Sequence, residues 1–316
     1  METNTFEILE ICGDGTFGIV YKAKQKSAET LVAIKRAKEV KYERPVQERI
    51  ASEIEILRKV QHENIISIFS LEEPVEITSS LSFSKLLNIK LNINAIVFPY
   101  CPLTLKSLLK DYVLALHEIK SCIWMILNGV VHIHSIGVIH RDLSPSNILI
   151  SDSGVIKISD FGIAWTDSNN HEPRGKMKFE VGTRYYRAPE LLYSTDNYSN
   201  AIDLWSLGCI FAEFFTKPAS SPLFHSENDI EQLSEIFRIL GVPNESTWPI
   251  TFVNKDCDGL TIKQLPRAKP QDVQFISKFL KYPSMERMTA GKALLDPLFD
   301  ADDFSKFYIN IQDLKK

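Results

Sequence analysis

The sequence is poor in cysteine, with five in 316 residues, and no two of them have the spacing of a metal site. It also has no long uncharged apolar run, and segment 1–6 shows no cleavable-leader pattern. Neither a disulfide framework nor a membrane span is therefore expected. These absences predict a reducing compartment inside the cell, the cytoplasm and/or the nucleus.

A large excess of charge of one sign is also absent. The formal net charge is −4 at pH 7, and the basic residues are scattered along the chain. We therefore expect no nucleic-acid partner and no membrane surface. The length of 316 residues suits one compact two-lobed catalytic domain or two small domains.

What the sequence does contain is a set of polar residues suited to phosphoryl chemistry. Asp142 and Asn147 lie five positions apart within segment 138–150, and Asp160 precedes Phe-Gly in segment 159–162. With these motifs the chain resembles a eukaryotic protein kinase. The resemblance implies that Asp142 orients the substrate hydroxyl and accepts its proton, while Asn147 and Asp160 hold Mg²⁺.

A glycine-rich string lies upstream, with Gly13, Gly15 and Gly18 in a Gly-x-Gly-x-x-Gly pattern. Alone this string is weak, because dinucleotide sites carry it too. Here alternating, strand-like residues follow it as far as Lys35, which argues against a dinucleotide site. The resemblance implies that the loop backbone approaches the ATP phosphates and that Lys35 neutralises the α and β phosphates.

A helical pattern over 48–57 offers Glu48, Glu53 and Glu55 as partners for Lys35. Glu53 lies at the spacing from Lys35 that the family uses, just before an apolar helix face, so it is the predicted partner. Glu48 and Glu55 fit solvated surface charges.

The resemblance implies ATP and Mg²⁺ as cofactors and a connector at Phe98-Pro-Tyr-Cys-Pro that binds the adenine edge. Val20, Ala33 and Leu149 would sandwich the purine, but each could equally be ordinary core. The expected catalytic residues are Asp142, Lys35, Glu53, Asn147, Asp160 and Thr183. The expected nucleotide-binding residues are Cys12, Gly13, Asp14, Gly15, Thr16, Phe17, Gly18, Val20, Ala33, Lys35, Phe98, Tyr100, Cys101 and Leu149.

The fold class implied is α+β, the two-lobed protein kinase fold. An N-terminal antiparallel sheet with one helix would precede a mostly helical C-terminal lobe. One protein kinase domain is expected over 1–316, with the N-lobe at 1–98, the hinge at 99–102 and the C-lobe at 103–316.

Several other residues have expected scaffold roles. By resemblance Glu190 pairs with Arg287, Asp203 accepts backbone donors near the catalytic loop, and the His140 ring packs under Phe161. Three further histidines lie in an amphipathic helical pattern and are expected to be surface or capping groups instead of metal ligands: His117, His132 and His134.

Within the protein kinases the chain resembles the cyclin-dependent, or CMGC, branch. Segments 13–23, 187–192 and 209–213 carry this match, which extends over nearly the whole chain. Between 71 and 95 the chain is longer than that branch usually is, which fits either a partner-docking segment or a variable surface loop.

The departures from that branch concern its activating phosphate. Ser52 and segment 163–165 replace two of the three arginines that bind the phosphate, which leaves Arg141, and Lys178 stands at the usual phosphothreonine site. We therefore predict a kinase that is active without activation-loop phosphorylation. Lys178, or Lys176 nearby, could order the loop through an acid that the sequence does not identify.

In these departures the chain resembles the small fungal CDK-activating kinases, which work as monomers and phosphorylate other cyclin-dependent kinases. A monomer with another cyclin-dependent kinase as its protein substrate is expected, and cyclin binding stays open. Gly182 replaces a valine that helps relatives demand proline after the target residue, but Arg187 keeps part of that apparatus. A cyclin-dependent, proline-directed kinase is therefore the alternative.

Ser144 stands where serine/threonine kinases have a lysine that touches the γ-phosphate. Losing one well-aimed donor typically costs ~10²-fold in turnover, so a slow or compensated enzyme is favoured. The rival interpretation is a pseudokinase scaffold, which the complete set of catalytic residues disfavours. Pro145 and Thr183 favour a serine/threonine over a tyrosine kinase.

Overall fold

The computed structural model describes residues 5–15, 18–39, 45–69, 76–79, 95–168, 172–218, 220–243, 259–300 and 304–314. The chain divides into two compact units, Met1–Pro102 and Leu103–Lys316. Among the described helices, none is both long enough and apolar enough to cross a bilayer.

The amino-terminal unit is built on a five-stranded sheet. Its strands are β1 (Thr5–Asp14), β2 (Gly18–Gln25), β3 (Leu31–Ala37), β4 (Glu76–Ser79) and β5 (Ala95–Pro99), in the order β4-β1-β2-β3-β5. The pairs β1–β2, β2–β3 and β3–β5 are antiparallel, which confirms the predicted antiparallel sheet. β4 adds a parallel partner to β1 at the edge, which the sequence pattern did not indicate.

Side-chain alternation separates the two faces of this sheet. One face forms a buried apolar cluster of Phe6, Ile8, Tyr21, Ala23, Val32, Ile34 and Val97. Because successive strand residues point to opposite faces, Val20, Ala33 and Lys35 lie on the other face. The alternation that places the cluster residues on one face therefore places these three residues, which are expected to contact the nucleotide, outside the cluster.

One helix, α1 (Val46–Lys59), accompanies the sheet within the described part of this unit. Its first turn carries Glu48, and its last turn carries Arg58 and Lys59, which suits the helix dipole at both ends. Ile50 and Leu57 lie on its buried face. The prediction of one helix in the amino-terminal part is thus confirmed for the described residues.

The carboxy-terminal unit is mostly helical, as predicted. Its helices are α2 (Leu105–Asp111), α3 (Leu116–Ser135), α4 (Pro189–Leu192), α5 (Ala201–Glu213), α6 (Asp229–Leu240), α7 (Pro270–Ser277) and α8 (Ala290–Ala293). Every residue of α5 is buried, since this helix is apolar on nearly all sides. It forms the centre on which the functional loops of this unit are mounted.

Short strands position those loops. They are β6 (Leu103–Thr104), β7 (Val138–Ile139), β8 (Ile148–Ile150), β9 (Ile156–Ile158) and β10 (Trp165–Thr166). The strands form two small sheets, β6-β8-β9 and β10-β7. The loop 140–147 runs from β7 to β8, and the turn containing Asp160 runs from β9 to β10.

Candidate active site

Asp142 and Asn147 are fixed to each other within the loop 140–147. The Asn147 side-chain amide donates to the Asp142 backbone carbonyl and to its carboxylate Oδ2, both at 2.8 Å. The Asn147 backbone N–H donates to the Ser144 carbonyl at 3.0 Å, which closes the loop. With the amide nitrogen directed at Asp142, Oδ1 is the atom of Asn147 that suits a cation.

Thr183 also bonds to Asp142, although it lies 41 positions along the chain. Its backbone N–H and its hydroxyl donate to Asp142 Oδ1, at 2.8 and 2.7 Å. Two sets of donors therefore hold the two carboxylate oxygens of Asp142, and they fix the orientation of the group that would receive a hydroxyl proton.

The electrostatics around Asp142 favour a bound cation. Burial raises the pKa of the Asp142 carboxyl; the hydrogen bond from Thr183 opposes that rise, and the negative charge of Asp160 adds to it. Two carboxylates that repel each other beside an amide oxygen form an all-oxygen donor set of the kind Mg²⁺ prefers. Asp160 and Asn147 thus fit the predicted metal, with nucleotide phosphates expected to supply further oxygens.

No group of three or more His, Cys, Asp or Glu residues that could hold a metal occurs in the described ranges. A protein-only cage of such residues is therefore not seen in that part of the chain.

His140 and Phe161 support the turn that carries Asp160. Their ring centroids lie 4.8 Å apart in an edge-to-face arrangement, which confirms the predicted packing. His140 Nε2 lies 2.9 Å from the Ser159 carbonyl oxygen, next to Asp160. Asp160 itself has φ of 65°, in the left-handed region, so these contacts hold a backbone conformation that an aspartate adopts only at some cost.

Asp203 fixes the backbone of the loop 140–147. Its carboxylate accepts the backbone N–H groups of His140 at 2.9 Å and Arg141 at 3.0 Å, as predicted. Burial alone would raise the pKa of Asp203, but hydrogen bonds and charge from His134 and His140 lower it below the ordinary value.

His134 corrects one sequence expectation. It is neither a surface group nor a helix cap, because its Nε2 lies 2.8 Å from Asp203 Oδ2 and only 11% of its side chain is exposed. Helical spacing could not reveal this role, since the carboxylate that it contacts lies 69 positions away on α5.

The predicted pair of Glu190 and Arg287 is formed. The two guanidinium nitrogens of Arg287 donate to the two oxygens of Glu190 at 2.6 and 2.7 Å. Arg287 also donates to the Ala201 carbonyl at 2.9 Å, at the start of α5. The pair thus ties the end of the segment 183–190 to the central helix.

In the amino-terminal unit Lys35 meets Glu53. The ammonium nitrogen lies 2.7 and 2.9 Å from the two oxygens of Glu53, and 5% of the Glu53 side chain is exposed. Glu48 and Glu55 are exposed, and Glu55 pairs with Lys59 on the surface of α1. The structure therefore selects the same acid as the sequence spacing does.

The glycine-rich loop lies between β1 and β2. Gly15 donates its backbone N–H to the Gly18 carbonyl at 2.9 Å. A Cβ at Gly18 would come within 2.6 Å of the Arg36 carbonyl oxygen, so β2 can approach β3 closely only with glycine there. Lys38 contacts Asp14 in this loop. Thr16 and Phe17, predicted to bind the nucleotide, lie outside the described residues.

The remaining predicted nucleotide-binding residues differ in exposure. In the amino-terminal unit Cys12 is exposed, Val20, Ala33 and Cys101 are half-buried, and Phe98 is buried. The Lys22 ammonium lies 4.8 Å from the centre of the half-buried Tyr100 ring. Leu149, on β8 of the other unit, is half-buried, so it is not a fully buried core residue.

Comparison with known proteins agrees with this geometry. The family described as Protein kinase domain matches residues 6–299. The chain is a member of the protein kinase family. Cyclin-dependent kinase 20 of Danio rerio is 35% identical over 308 residues, which cover 94% of this chain and 84% of the relative. Cyclin-dependent kinase B1-1 of Arabidopsis thaliana is 35% identical over 318 residues, covering 96% and 99%.

These similarities make the protein a serine/threonine protein kinase of the cyclin-dependent kinase-like type. A protein kinase domain implies the use of ATP and a protein substrate. The human cyclin-dependent kinase 20 is also 35% identical, over 305 residues that cover 92% of this chain and 82% of the relative.

The activation segment of this kinase, which runs from Asp160 to Glu190, is anchored on Arg141. The Arg141 guanidinium donates to Glu172 at 2.6 and 3.3 Å and to the Tyr198 hydroxyl at 3.0 Å. The Lys178 backbone N–H donates to Glu172 Oε2 at 3.2 Å, and the Tyr198 hydroxyl donates to the Lys178 carbonyl at 2.6 Å. Glu172 is therefore the acid that meets the Lys178 backbone, while its ion pair is with Arg141.

Gly182 has a conformation that the sequence argument did not foresee. Its φ is 79°, and a Cβ there would lie 2.5 Å from the Arg141 carbonyl oxygen. The Gly182 carbonyl accepts from the Arg187 guanidinium at 3.0 Å, and Arg187 also pairs with Asp229 at 3.0 Å. The carbonyl next to Thr183 is therefore already engaged by an arginine.

Proposed function

We propose that this kinase transfers the γ-phosphoryl group of Mg-ATP to protein serine or threonine without a phosphate on its own activation segment. One observation carries the proposal. At the usual phosphothreonine position stands Lys178, and both its backbone N–H and its carbonyl are hydrogen-bonded. The segment is thus tied down at the point where relatives use a phosphate.

The proposed catalytic roles are those that the family resemblance implies, and the contacts within each unit support them. Asp142, oriented by Asn147 and Thr183, accepts the proton of the substrate hydroxyl as that oxygen attacks phosphorus. Lys35, held by Glu53, neutralises the α and β phosphates. Asn147 and Asp160 would hold Mg²⁺, which neutralises charge on the phosphates when bound.

The first candidate substrate is the activation loop of another cyclin-dependent kinase. Ser52, Lys178 and the tryptophan of segment 163–165 depart from the cyclin-dependent branch in the way that monomeric CDK-activating kinases do. A kinase that needs no activating phosphate can act on relatives that do need one.

The second candidate is a proline-directed kinase, and the engaged Gly182 carbonyl favours it. A carbonyl that already accepts from Arg187 is a poor acceptor for a substrate backbone N–H. Proline has no backbone N–H, so a substrate with proline at this position leaves no hydrogen-bond donor without an acceptor. Glycine adopts the required positive φ more easily than valine, so Gly182 does not argue against proline selection.

The test uses purified, phosphatase-treated monomer with Mg-ATP and an inactive cyclin-dependent kinase as acceptor, with Asp160→Asn as the matched control. We expect transfer to the acceptor's activation-loop threonine, lost in the control. A second enzyme, with Thr166→Ala and Ser168→Ala combined, should keep its activity. A requirement for phosphate on the protein's own activation segment would overturn the proposal.

A positional peptide array separates the two substrate candidates. Strict selection of proline after the target residue would favour the proline-directed kinase. Tolerance of other residues there, together with transfer to the intact cyclin-dependent kinase, would favour the CDK-activating role. Arg187→Met should weaken any proline selection, because it releases the Gly182 carbonyl to accept from the substrate.

A further inference from the structure

We infer that Glu172 is a positioning residue that does in this kinase what an activation-loop phosphate does in its relatives. The inference rests on the proposed phosphate-independent activity and names the group responsible for it. The single carboxylate of Glu172 joins the catalytic loop to the segment that follows.

The geometry is that of an anion bound by arginine. Glu172 Oε2 lies 2.6 Å from one terminal nitrogen of Arg141, and Oε1 lies 3.3 Å from the other. Both side chains are nearly removed from solvent, with 3% of Arg141 and 11% of Glu172 exposed. A two-point contact of this kind fixes direction as well as distance, which a surface ion pair does not.

Glu172 and Arg141 together contact three separate pieces of chain, and the carboxylate itself bonds to Arg141 and to the Lys178 backbone N–H. Arg141 is adjacent to Asp142, and its Nε donates to the Ile163 carbonyl at 2.5 Å, just after Asp160-Phe-Gly. Trp165 Nε1 donates to the Glu172 carbonyl at 2.7 Å. Losing the Glu172 charge would therefore loosen the catalytic loop and the region of Lys178 directly, and the turn after Asp160 through Arg141.

The charges balance one to one. Burial alone would raise the pKa of Glu172, but the hydrogen bonds and charge of Arg141 lower it below the ordinary value, and the charge of Lys178 adds to that effect. Burial likewise opposes the charge on Arg141, and Glu172 outweighs it, so the pKa of Arg141 is raised. One retained arginine and one carboxylate match, whereas a dianionic phosphate would suit a larger cationic cluster.

The sequence departures fit the same arrangement. Relatives hold the phosphate with three arginines, and two of those positions carry Ser52 and segment 163–165 here. Segment 163–165 instead contributes the Ile163 carbonyl to Arg141 and the Trp165 indole N–H to Glu172. The segment that replaces the lost arginine after Asp160 therefore bonds to Arg141 and to the backbone of Glu172, the two partners of this ion pair.

The experiment compares Glu172→Gln, Glu172→Asp and wild type, all phosphatase-treated. Glu172→Gln keeps the shape but removes the charge, and we expect kcat to fall by ~10²-fold with the KM for ATP nearly unchanged, because a shifted catalytic loop slows chemistry. Glu172→Asp should recover part of that loss. The matched control is Asp167→Asn, which removes an exposed carboxylate of the same segment that pairs with Arg174.

A second readout does not depend on activity. Amide hydrogen exchange should accelerate in 172–183 and 140–147 of Glu172→Gln, while the control stays like wild type. Unchanged kcat and unchanged exchange in Glu172→Gln would overturn the inference. If wild type transfers no phosphate to any acceptor, the proposed function fails, yet faster exchange in Glu172→Gln would still support the positioning role. If Glu172→Gln does not fold, Glu172→Asp, which draws the carboxylate back from Arg141, should still show a smaller fall in kcat and faster exchange than wild type, and no change in either would overturn the inference.

Discussion

Thr183 donates two hydrogen bonds to a single oxygen of Asp142, one from its backbone N–H at 2.8 Å and one from its hydroxyl at 2.7 Å. The backbone bond needs only the local fold, whereas the hydroxyl bond needs this side chain. Both bonds favour the ionised carboxylate, against the burial and the Asp160 charge that raise its pKa.

Thr183→Ala should therefore lower kcat while the KM for ATP changes little. Losing a hydrogen bond to a charged group is worth roughly 1.5–3 kcal/mol, which corresponds to about a 10- to 100-fold slower reaction. Thr183→Ser keeps the hydroxyl and should stay near wild type. Steady-state kinetics with the three enzymes tests this, and equal kcat for Ala and wild type would contradict it.

Glu53→Gln should weaken the use of ATP. The glutamine keeps hydrogen-bonding capacity but removes the charge that holds Lys35. This lysine is mostly shielded from water, since 16% of its side chain is exposed. We expect a loss on the order of 10²-fold in kcat/KM for ATP. Glu55→Gln on the same helix is the control, since it breaks only an exposed pair with Lys59 and should have almost no effect. Similar losses in both variants would refute the assignment of Glu53.

Arg287→Met should destabilise the fold, and this effect can be measured without an activity assay. The Arg287 side chain is fully buried against Glu190, so its removal leaves a carboxylate without its charge partner. Breaking one side of such a pair costs roughly 3–5 kcal/mol in the free energy of unfolding. Arg238→Met breaks an exposed pair with Glu235 and should change stability by little. Chemical denaturation of both variants measures the difference.

Glu213 makes stability depend on pH in a direction opposite to that of a paired carboxylate. Burial raises its pKa to about 8 from an ordinary 4.5, although a hydrogen bond with Tyr186 opposes the rise. Between those two values the folded protein holds a proton that the unfolded chain releases, so stability falls as pH rises. Above the folded pKa the full cost of a buried negative charge is present.

Glu213→Gln should remove that pH dependence, because its amide has no proton to release. We expect the variant to gain stability relative to wild type as the pH rises from the ordinary pKa of Glu213 toward its folded value of about 8. Chemical denaturation of both proteins at several pH values within that interval measures the difference in slope. Parallel pH profiles for the two proteins would show that Glu213 does not carry the effect.

The local residue pattern was enough to predict several pairings in this kinase. Glu53 was selected from three candidate acids by the spacing from Lys35 that the family uses, whereas the sequence left open whether Val20 and Ala33 belong to the core. The family resemblance implied the pairing of Glu190 with Arg287 and of Asp203 with the catalytic-loop backbone, in agreement with the need of a buried charge for a partner. The catalytic and nucleotide-binding roles of these residues remain predictions from the sequence.

Other features depended on contacts between distant parts of the chain. The sequence shows that Lys178 replaces a phosphothreonine, but only the fold brings Glu172 to Arg141 and His134 to Asp203. The Gly182 backbone conformation likewise depends on the close approach of the Arg141 carbonyl. The sequence by itself determined the family, the core pattern and the candidate catalytic residues, because these depend on residue type and local period. Only the tertiary structure decided which buried charges meet, since that depends on how loops far apart in sequence are packed around α5.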